Sequence, residues 1–427
     1  MTEKLLQYLW NFKVFKNFNF KDSEANSIEI LDFGKWNHDS GPDFLMAKIK
    51  TKDLVLVGNI ELHLKNSDWI FHKHSENPAY ENIILHVVFL DDVEIEEFSK
   101  KNIPTLQLKE YIDPKILLKY EIFLQENQFI PCEKIFEATK IPFYFCEETL
   151  LKKLDEKSKE IEKSLKKHKN NYEAVLFHSL AYAFGLKVNA EIFKEIAENI
   201  DFSIIQKIKQ NQLQLEALFF GKSGWLENPI DEQMKIWKRE FDFLKAKYSV
   251  SEITISPKFL RLRPPNFPTL RLSQLANLYH REQNLFSKII EAKNTEEIYL
   301  IFNEIKASEY WNSHFSFGKI SESKYEKSLT KDFVDLVILN SILPLKYAYH
   351  KYKNEEIADQ ILEFYKNISA EKNTIITQWK NLGIQFKNAL QSQSFIYQYK
   401  NFCSSKNCLN CSIGLLLLKE PNEQNLR

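Results

Sequence analysis

The chain has 427 residues, with 58 Lys plus Arg against 58 Asp plus Glu, so its formal net charge is zero. That balance excludes a uniformly basic coat, and any nucleic-acid surface must be local. The longest apolar run, Ile413 to Leu418, is far too short to span a membrane. The opening MTEKLLQYLWNF mixes charge with apolar residues and lacks a signal-peptide pattern. A cytoplasmic protein with no membrane partner is the expectation. The length suits two or three domains. Five cysteines, an odd number, favour thiols or a metal site over a disulfide framework.

Leu5, Leu6, Leu9 and Trp10 share a helical stripe and predict a helix over 3–12. Strands are expected at 27–33, 44–50 and 54–65, with a turn-rich loop over 34–43 (GKWNHDSGPD) and a tight link at 51–53. Residues 66–82 are polar, with a short helical piece near Ala79. Residues 83–90 are apolar enough for a central, buried strand, and 105–108 read as an edge strand. From there the pattern turns helical. Helices are expected over 147–168, 172–184 (capped by Gly185), 190–199, 203–220, 229–247, 272–278, 284–292 and 295–307. Three more are expected over 332–349, 355–365 and 375–390. The fold class is α+β: a small N-terminal mixed β-sheet domain with flanking helices over 1–112, then a large all-helical domain over 113–427.

Chemistry concentrates between Gly41 and His86, which holds four of the ten histidines. A strand repeats every two residues, so Glu61, His63 and Lys65 lie on one face. Asp43 closes a Gly-Pro-Asp turn at the start of the preceding strand. Two carboxylates on adjacent strands hold a hard divalent cation such as Mg²⁺ or Mn²⁺. Such an ion polarises a phosphodiester and activates water. Asp43 and Glu61 are the expected metal ligands, His63 a ligand or base, and Lys65 the group that stabilises phosphate charge. The competing reading is an ordinary wet strand face.

Beside this set lie Asp68, Trp69, His72, His74 and His86. His86, inside a buried strand, reads as a hydrogen-bonded core histidine. His72 and His74 are expected to support the site or contact substrate; a zinc hydrolase built on them is a third reading. Cys403-x4-Cys408-x2-Cys411 near the C-terminus is a metal-binding pattern, with Cys132, Cys146 or a distant histidine as fourth ligand. Zinc and an iron–sulfur cluster are both open, against a reading as buried apolar thiols. Arg261, Arg263 and Arg271 cluster among three prolines and are expected to grip phosphate, or else to pair with acidic neighbours. Trp311, His314 and Phe317 suit packing more than base stacking. Gly221-Lys222-Ser223 lacks the upstream glycine of a phosphate-binding loop.

The run GPDF, GNIELHLKNSDW and NPAYENIILHVV, with RLRPPNFPTLRLSQLA, EYWNSHFSFG and CSSKNCLNCSIG, resembles an uncharacterised bacterial family, domain-of-unknown-function family 2851. That likeness covers nearly the whole chain and implies no activity. The first hundred residues also resemble the PD-(D/E)XK nuclease superfamily. Pro42-Asp43 matches its Pro-Asp, while Glu61 and Lys65 stand four positions apart where the superfamily has two. This resemblance implies a metal-dependent phosphodiesterase acting on DNA or RNA. It also implies a non-catalytic nucleic-acid-binding or scaffold protein if the altered spacing is inactive. Some exonucleases of the superfamily hold an iron–sulfur cluster on one distant and three C-terminal cysteines, which Cys132, Cys403, Cys408 and Cys411 resemble.

Overall fold

The computed structural model describes residues 1–37, 39–52, 54–125, 128–251 and 253–419. It forms two compact units: Met1–Ile141 together with the segment that begins at Gln398, and Pro142–Tyr397. No described helix is long and apolar enough to cross a membrane.

The first unit is built on a mixed, seven-stranded sheet. Its strands are β1 (Phe20–Lys21), β2 (Ser27–Asp32), β3 (Lys35–Trp36), β4 (Phe44–Thr51), β5 (Leu54–Lys65), β6 (Ile83–Leu90) and β7 (Thr105–Gln107). They run in the order β1-β2-β4-β5-β6-β7, with β3 also on β4. Pairings from β1 to β5 are antiparallel, and β5-β6 and β6-β7 are parallel. Parallel neighbours need a crossover. Here α2 (Asn66–Phe71) and two short 3₁₀ turns lead from β5 to β6, and α3 (Glu96–Lys101) leads from β6 to β7. The helix α1 (Glu3–Asn11) buries Leu5, Leu6, Tyr8, Leu9 and Trp10, the stripe its spacing predicts. The tight link at 51–53 lies partly outside the described residues, since Asp53 is not among them.

Register fixes the chemistry of one face. Glu61 pairs with His86 and His63 with Val88. In-register partners of a parallel pair point the same way, so Glu61, His63 and His86 share a side of the sheet. The strand centre must be thin where β5 meets the chain leading into β6. A Cβ on Gly58 would lie 2.5 Å from Ile84 Cγ2 and 2.6 Å from the Asn82 carbonyl.

The first unit continues past residue 112. The helix α4 (Pro114–Leu124) meets the C-terminal helix Ser412–Lys419, where Lys119 Nζ donates to the Leu417 carbonyl at 2.7 Å. The units therefore divide at Ile141, and the last segment of the chain returns to the sheet unit.

The second unit is helical, and its departures from the expected spans have local causes. The span 203–220 divides into Phe202–Ile208 and Gln212–Lys222, because the Asn211 side chain caps the second helix. The span 375–390 divides at Gly383, whose φ is +90°. Between Lys331–Val337 and Leu343–Tyr352 the helix widens into a π turn over Ile338–Ile342, just before Pro344, which has no amide hydrogen to donate. Gly185 ends its helix at φ −68°; the left-handed residue is its neighbour Leu186. A glycine is needed there for space, since a Cβ would lie 2.4 Å from the Asn189 carbonyl.

The aromatic stretch around Trp311 packs inward, with Trp311 stacked on Trp237 at 5.9 Å and His314 on Tyr310 at 4.0 Å. Lys222 is fully buried and donates to the Ser251 carbonyl at 3.1 Å and the Ile253 carbonyl at 2.5 Å, so it serves as a cap within the fold.

Glu216 is buried in this unit and accepts a hydrogen bond from Ser273 Oγ. Burial pushes its carboxyl up to about 7, against an ordinary 4.5. The folded state thus holds a proton that the unfolded chain releases. The resulting stability is fully present below about pH 4.5 and is lost as pH rises through about 7. Glu216→Gln is therefore expected to stabilise the protein at pH 8 by about 1–3 kcal/mol and to flatten that slope. Urea unfolding at pH 5 and pH 8 checks it; an unchanged slope contradicts it.

Candidate metal centre

The site is assembled by β5 and the turn that follows it. At Lys65 the strand ends and α2 begins, with the Asp68 carboxylate accepting the Lys65 N–H at 2.9 Å. The helix lasts six residues and closes at His72. Lys73 then takes a left-handed φ of +57°, which turns the chain back so that His74 returns towards β5. Trp69 is buried under this turn, its indole N–H donating to Ser75 Oγ at 3.0 Å and its ring edge-on to His74 and Phe98. Tyr80 lies over the His74 ring at 3.9 Å.

Three ring nitrogens meet as a result. His63 Nε2 lies 3.2 Å from His72 Nδ1 and 3.2 Å from His74 Nε2. The ligand atoms of these three histidines all fall within 4.8 Å of one another. Nitrogens bound about 2.05 Å from a tetrahedral zinc ion stand about 3.3 Å apart, so the spacing fits a single transition-metal ion. His63 is buried, His74 half-buried and His72 exposed, so the group runs from the sheet to solvent.

Burial and the neighbouring imidazoles hold His63 and His74 neutral. His63 is pushed down to about 2 by burial and then by His86, His74 and His72. His74 falls to about 4, by burial and then His72. Neutral imidazole is the ligating form. Behind His63, its Nδ1 lies 2.8 Å from His86 Nε2. With His63 Nε2 turned to the centre, Nδ1–H donates to His86, which fixes the ring as second partners of metal-bound histidines do. His86 is the buried, hydrogen-bonded core histidine its strand implied.

Carboxylates close the other side. Glu61 is 5% exposed, and its Oε1 lies 3.7 Å from His63 Nε2 and 3.5 Å from His74 Nε2. Its Oε2 accepts the Asp43 N–H at 3.0 Å. Asp43 Oδ2 accepts the Leu62 N–H at 3.0 Å and Oδ1 accepts from Gln7 Nε2 at 2.8 Å. Burial raises both acids, Asp43 raises Glu61 further, and Glu3 adds to the effect on each. The pair therefore retains a proton more readily than free carboxylates do.

Asp43, Glu61, His63, His72 and His74 thus come together. Lys65 does not join them: its side chain is exposed and its charge acts on Asp92, beyond the end of β6. Lys65 keeps its register on β5, opposite Leu90, as the last residue of the strand before α2. Arg271 is 5% exposed inside the helix Pro268–Arg281. Its guanidinium donates to Gln274 at 3.0 Å and Asn266 at 2.7 Å and stacks on Phe333, which takes it out of reach of a phosphate. Arg261 and Arg263 are exposed in the second unit. Cys132, Cys403, Cys408 and Cys411 are all buried in the first unit. Glu3, Gln7 and Tyr80 belong to the site although no sequence motif marks them. Gln7 and Glu3 are four apart on α1, so a polar stripe opposite its apolar one is the signal that finds them.

A family model, described as a protein of unknown function (DUF2851), matches residues 3–374. No curated protein and no solved structure matches the chain.

Proposed function

We propose that this chain, which belongs to the DUF2851 family of proteins of unknown function, is a transition-metal-dependent hydrolase whose substrate is a phosphodiester of DNA or RNA. The observation that carries this reading is the convergence of His63, His72 and His74 beside the Glu61 carboxylate. Three imidazoles suit Zn²⁺ best, and a neighbouring carboxylate leaves Mn²⁺ a better fit than Mg²⁺, which keeps to oxygen. When bound, the ion would lower the pKa of a coordinated water and polarise the phosphoryl oxygen.

The chain's own groups divide the remaining work. His63, His72 and His74 are the ligands. Glu61, anchored through Oε2 by the Asp43 N–H, presents Oε1 to take the water's proton. Asp43 has both oxygens engaged by Gln7 and Leu62, so it acts as a positioning residue in this scheme instead of a ligand. The phosphodiester assignment is supported by the order of helix, antiparallel strands, helix and parallel strand, with Pro42-Asp43 before β4 and Glu61 on β5. A second reading, a non-catalytic nucleic-acid-binding or scaffold protein, is favoured by one observation: the side chain of the lysine expected at the phosphate is exposed.

The test is to strip the full chain with chelator, restore Zn²⁺ or Mn²⁺, and assay bis(p-nitrophenyl) phosphate and DNA and RNA oligonucleotides. Hydrolysis only after metal return is expected. A metal-loaded chain that binds oligonucleotides and cleaves none of these substrates overturns the proposal in favour of the second reading.

A further inference from the structure

We infer that Cys132, Cys403, Cys408 and Cys411 ligate an iron–sulfur cluster that fastens the C-terminal segment to the first unit. The site is independent of the histidine centre and of the proposed hydrolysis.

The fold brings distant cysteines into one unit. Cys132 lies just after α4, whereas the other three lie in the segment that returns at the end of the chain. Phe129 stacks on Tyr399 at 4.7 Å with the rings 13° apart, which sets the approach to Cys132 against the approach to Cys403. Lys406 Nζ donates to the Leu124 carbonyl at 3.2 Å, and Lys119 Nζ donates to the Leu417 carbonyl at 2.7 Å. Cys403 ends a π turn, Cys408 opens a 3₁₀ turn, and Cys411 immediately precedes the helix Ser412–Lys419. All four side chains are buried, at 6–8% exposure. The four sulfurs are also electrostatic neighbours: Cys403 is raised by burial and then by Cys411, Cys132 and Cys408, and Cys132 by burial and then by Cys411 and Cys408.

The surroundings suit sulfur that carries charge. Gln398 Nε2 donates to Cys411 Sγ at 2.8 Å, and the Gly414 N–H donates to the same sulfur at 3.4 Å. Hydrogen bonds of this kind stabilise cluster thiolates. Gly414 is required by the close approach, because a Cβ there would lie 2.3 Å from the Cys408 carbonyl. Four thiols serving only as apolar filling need neither the donors nor the convergence of remote segments.

Spacing separates a cluster from a single ion. Four thiolates on one zinc ion, each about 2.3 Å from it, stand about 3.8 Å apart. Three sulfurs of such a site would all fall within 4.8 Å of one another, as the three histidine nitrogens do, and no cysteine set does so among the described residues. A cluster spreads its four thiolates over two or four irons and so never gathers three sulfurs around one ion. Assembly needs sulfide and iron, at least half of it ferric, from outside the chain. Each thiol gives its proton to solvent as its S–Fe bond forms, and no electron transfer from the chain is required.

The test uses the full chain purified without oxygen. Iron, acid-labile sulfide and zinc are counted, and the visible spectrum is recorded. Iron and sulfide in about equal amounts, with broad visible absorption, are expected. Cys408→Ser should remove both, and limited proteolysis should then cut between residues 398 and 411. Cys146→Ser, whose sulfur lies in the second unit, should keep both. If Cys408→Ser fails to fold, the wild-type chain still decides, by its composition and by reconstitution with ferric and ferrous iron and sulfide after stripping. Zinc that is lost in Cys408→Ser and unaccompanied by sulfide overturns the inference. So does a folded wild-type chain that takes up no iron after reconstitution, or loss of the cluster in Cys146→Ser.

Discussion

Replacing His74 by alanine is expected to weaken Zn²⁺ binding by at least about 100-fold. Removal of a mere supporting partner costs about 10–100-fold in metal affinity, and His74 is assigned as a ligand. Its Nε2 lies 3.2 Å from His63 Nε2 and 3.5 Å from Glu61 Oε1, so cutting it back removes one of the three converging nitrogens. The ring is half-buried and its chief contact is the Tyr80 ring at 3.9 Å, so the metal-free fold should change by only about 1 kcal/mol. Metal stabilises the wild type through mass action, by about 4.1 kcal/mol at a thousandfold excess over Kd. That shift should vanish in the variant at the same zinc concentration. Titration against a competing chelator, with thermal unfolding at matched zinc, checks both parts. Equal affinity in the two proteins contradicts the site.

Glu61→Gln is expected to lower hydrolysis by about 10²–10⁴-fold while the metal remains bound. The amide retains an oxygen that can accept the Asp43 N–H, the contact now made at 3.0 Å. What it loses is the capacity to take a proton from water. The split matters because two roles are compatible with a carboxylate 3.5–3.7 Å from two ligand nitrogens. If Glu61 is the base, rate falls and metal affinity stays within about 10-fold. If metal and rate are lost together, Glu61 is a ligand. Unchanged hydrolysis removes it from the chemistry altogether. Metal affinity and kcat for bis(p-nitrophenyl) phosphate, measured on one preparation, separate these cases.

Much of the sheet can be read from alternation and apolar runs. The expected strands at 54–65 and 83–90 coincide with β5 and β6, and the helix at 172–184 with Tyr172–Phe184. These segments carry strong periodic or apolar signals. The site was half legible. The period of two places Glu61 and His63 on one face, and the Pro-Asp turn places Asp43 beside them. The arrival of His72 and His74 depends on a six-residue helix and one left-handed lysine, which leave no periodic trace. Lys65 keeps its register on the strand, and its side chain is exposed at the end of β5. Arg271 misleads for a different reason: guanidinium is normally a surface group, and here Pro268 opens a helix that carries it inside. The C-terminal return was hidden because Ser412–Lys419 is apolar nearly all round and lacks the one-sided pattern of a surface helix. Breaks at Asn211 and Gly383 show a further limit, since a cap and a left-handed glycine interrupt stretches whose apolar spacing continues through them.

The central claim is that His63, His72 and His74 hold one metal ion. X-ray absorption at the zinc edge, on the chain loaded with a single equivalent of Zn²⁺, tests it most directly. The account predicts nitrogen and oxygen neighbours at about 2.0–2.1 Å with the outer scattering of imidazole rings, lost in His74→Ala. A shell of sulfur at about 2.3 Å, or a spectrum that His74→Ala leaves unchanged, would contradict it.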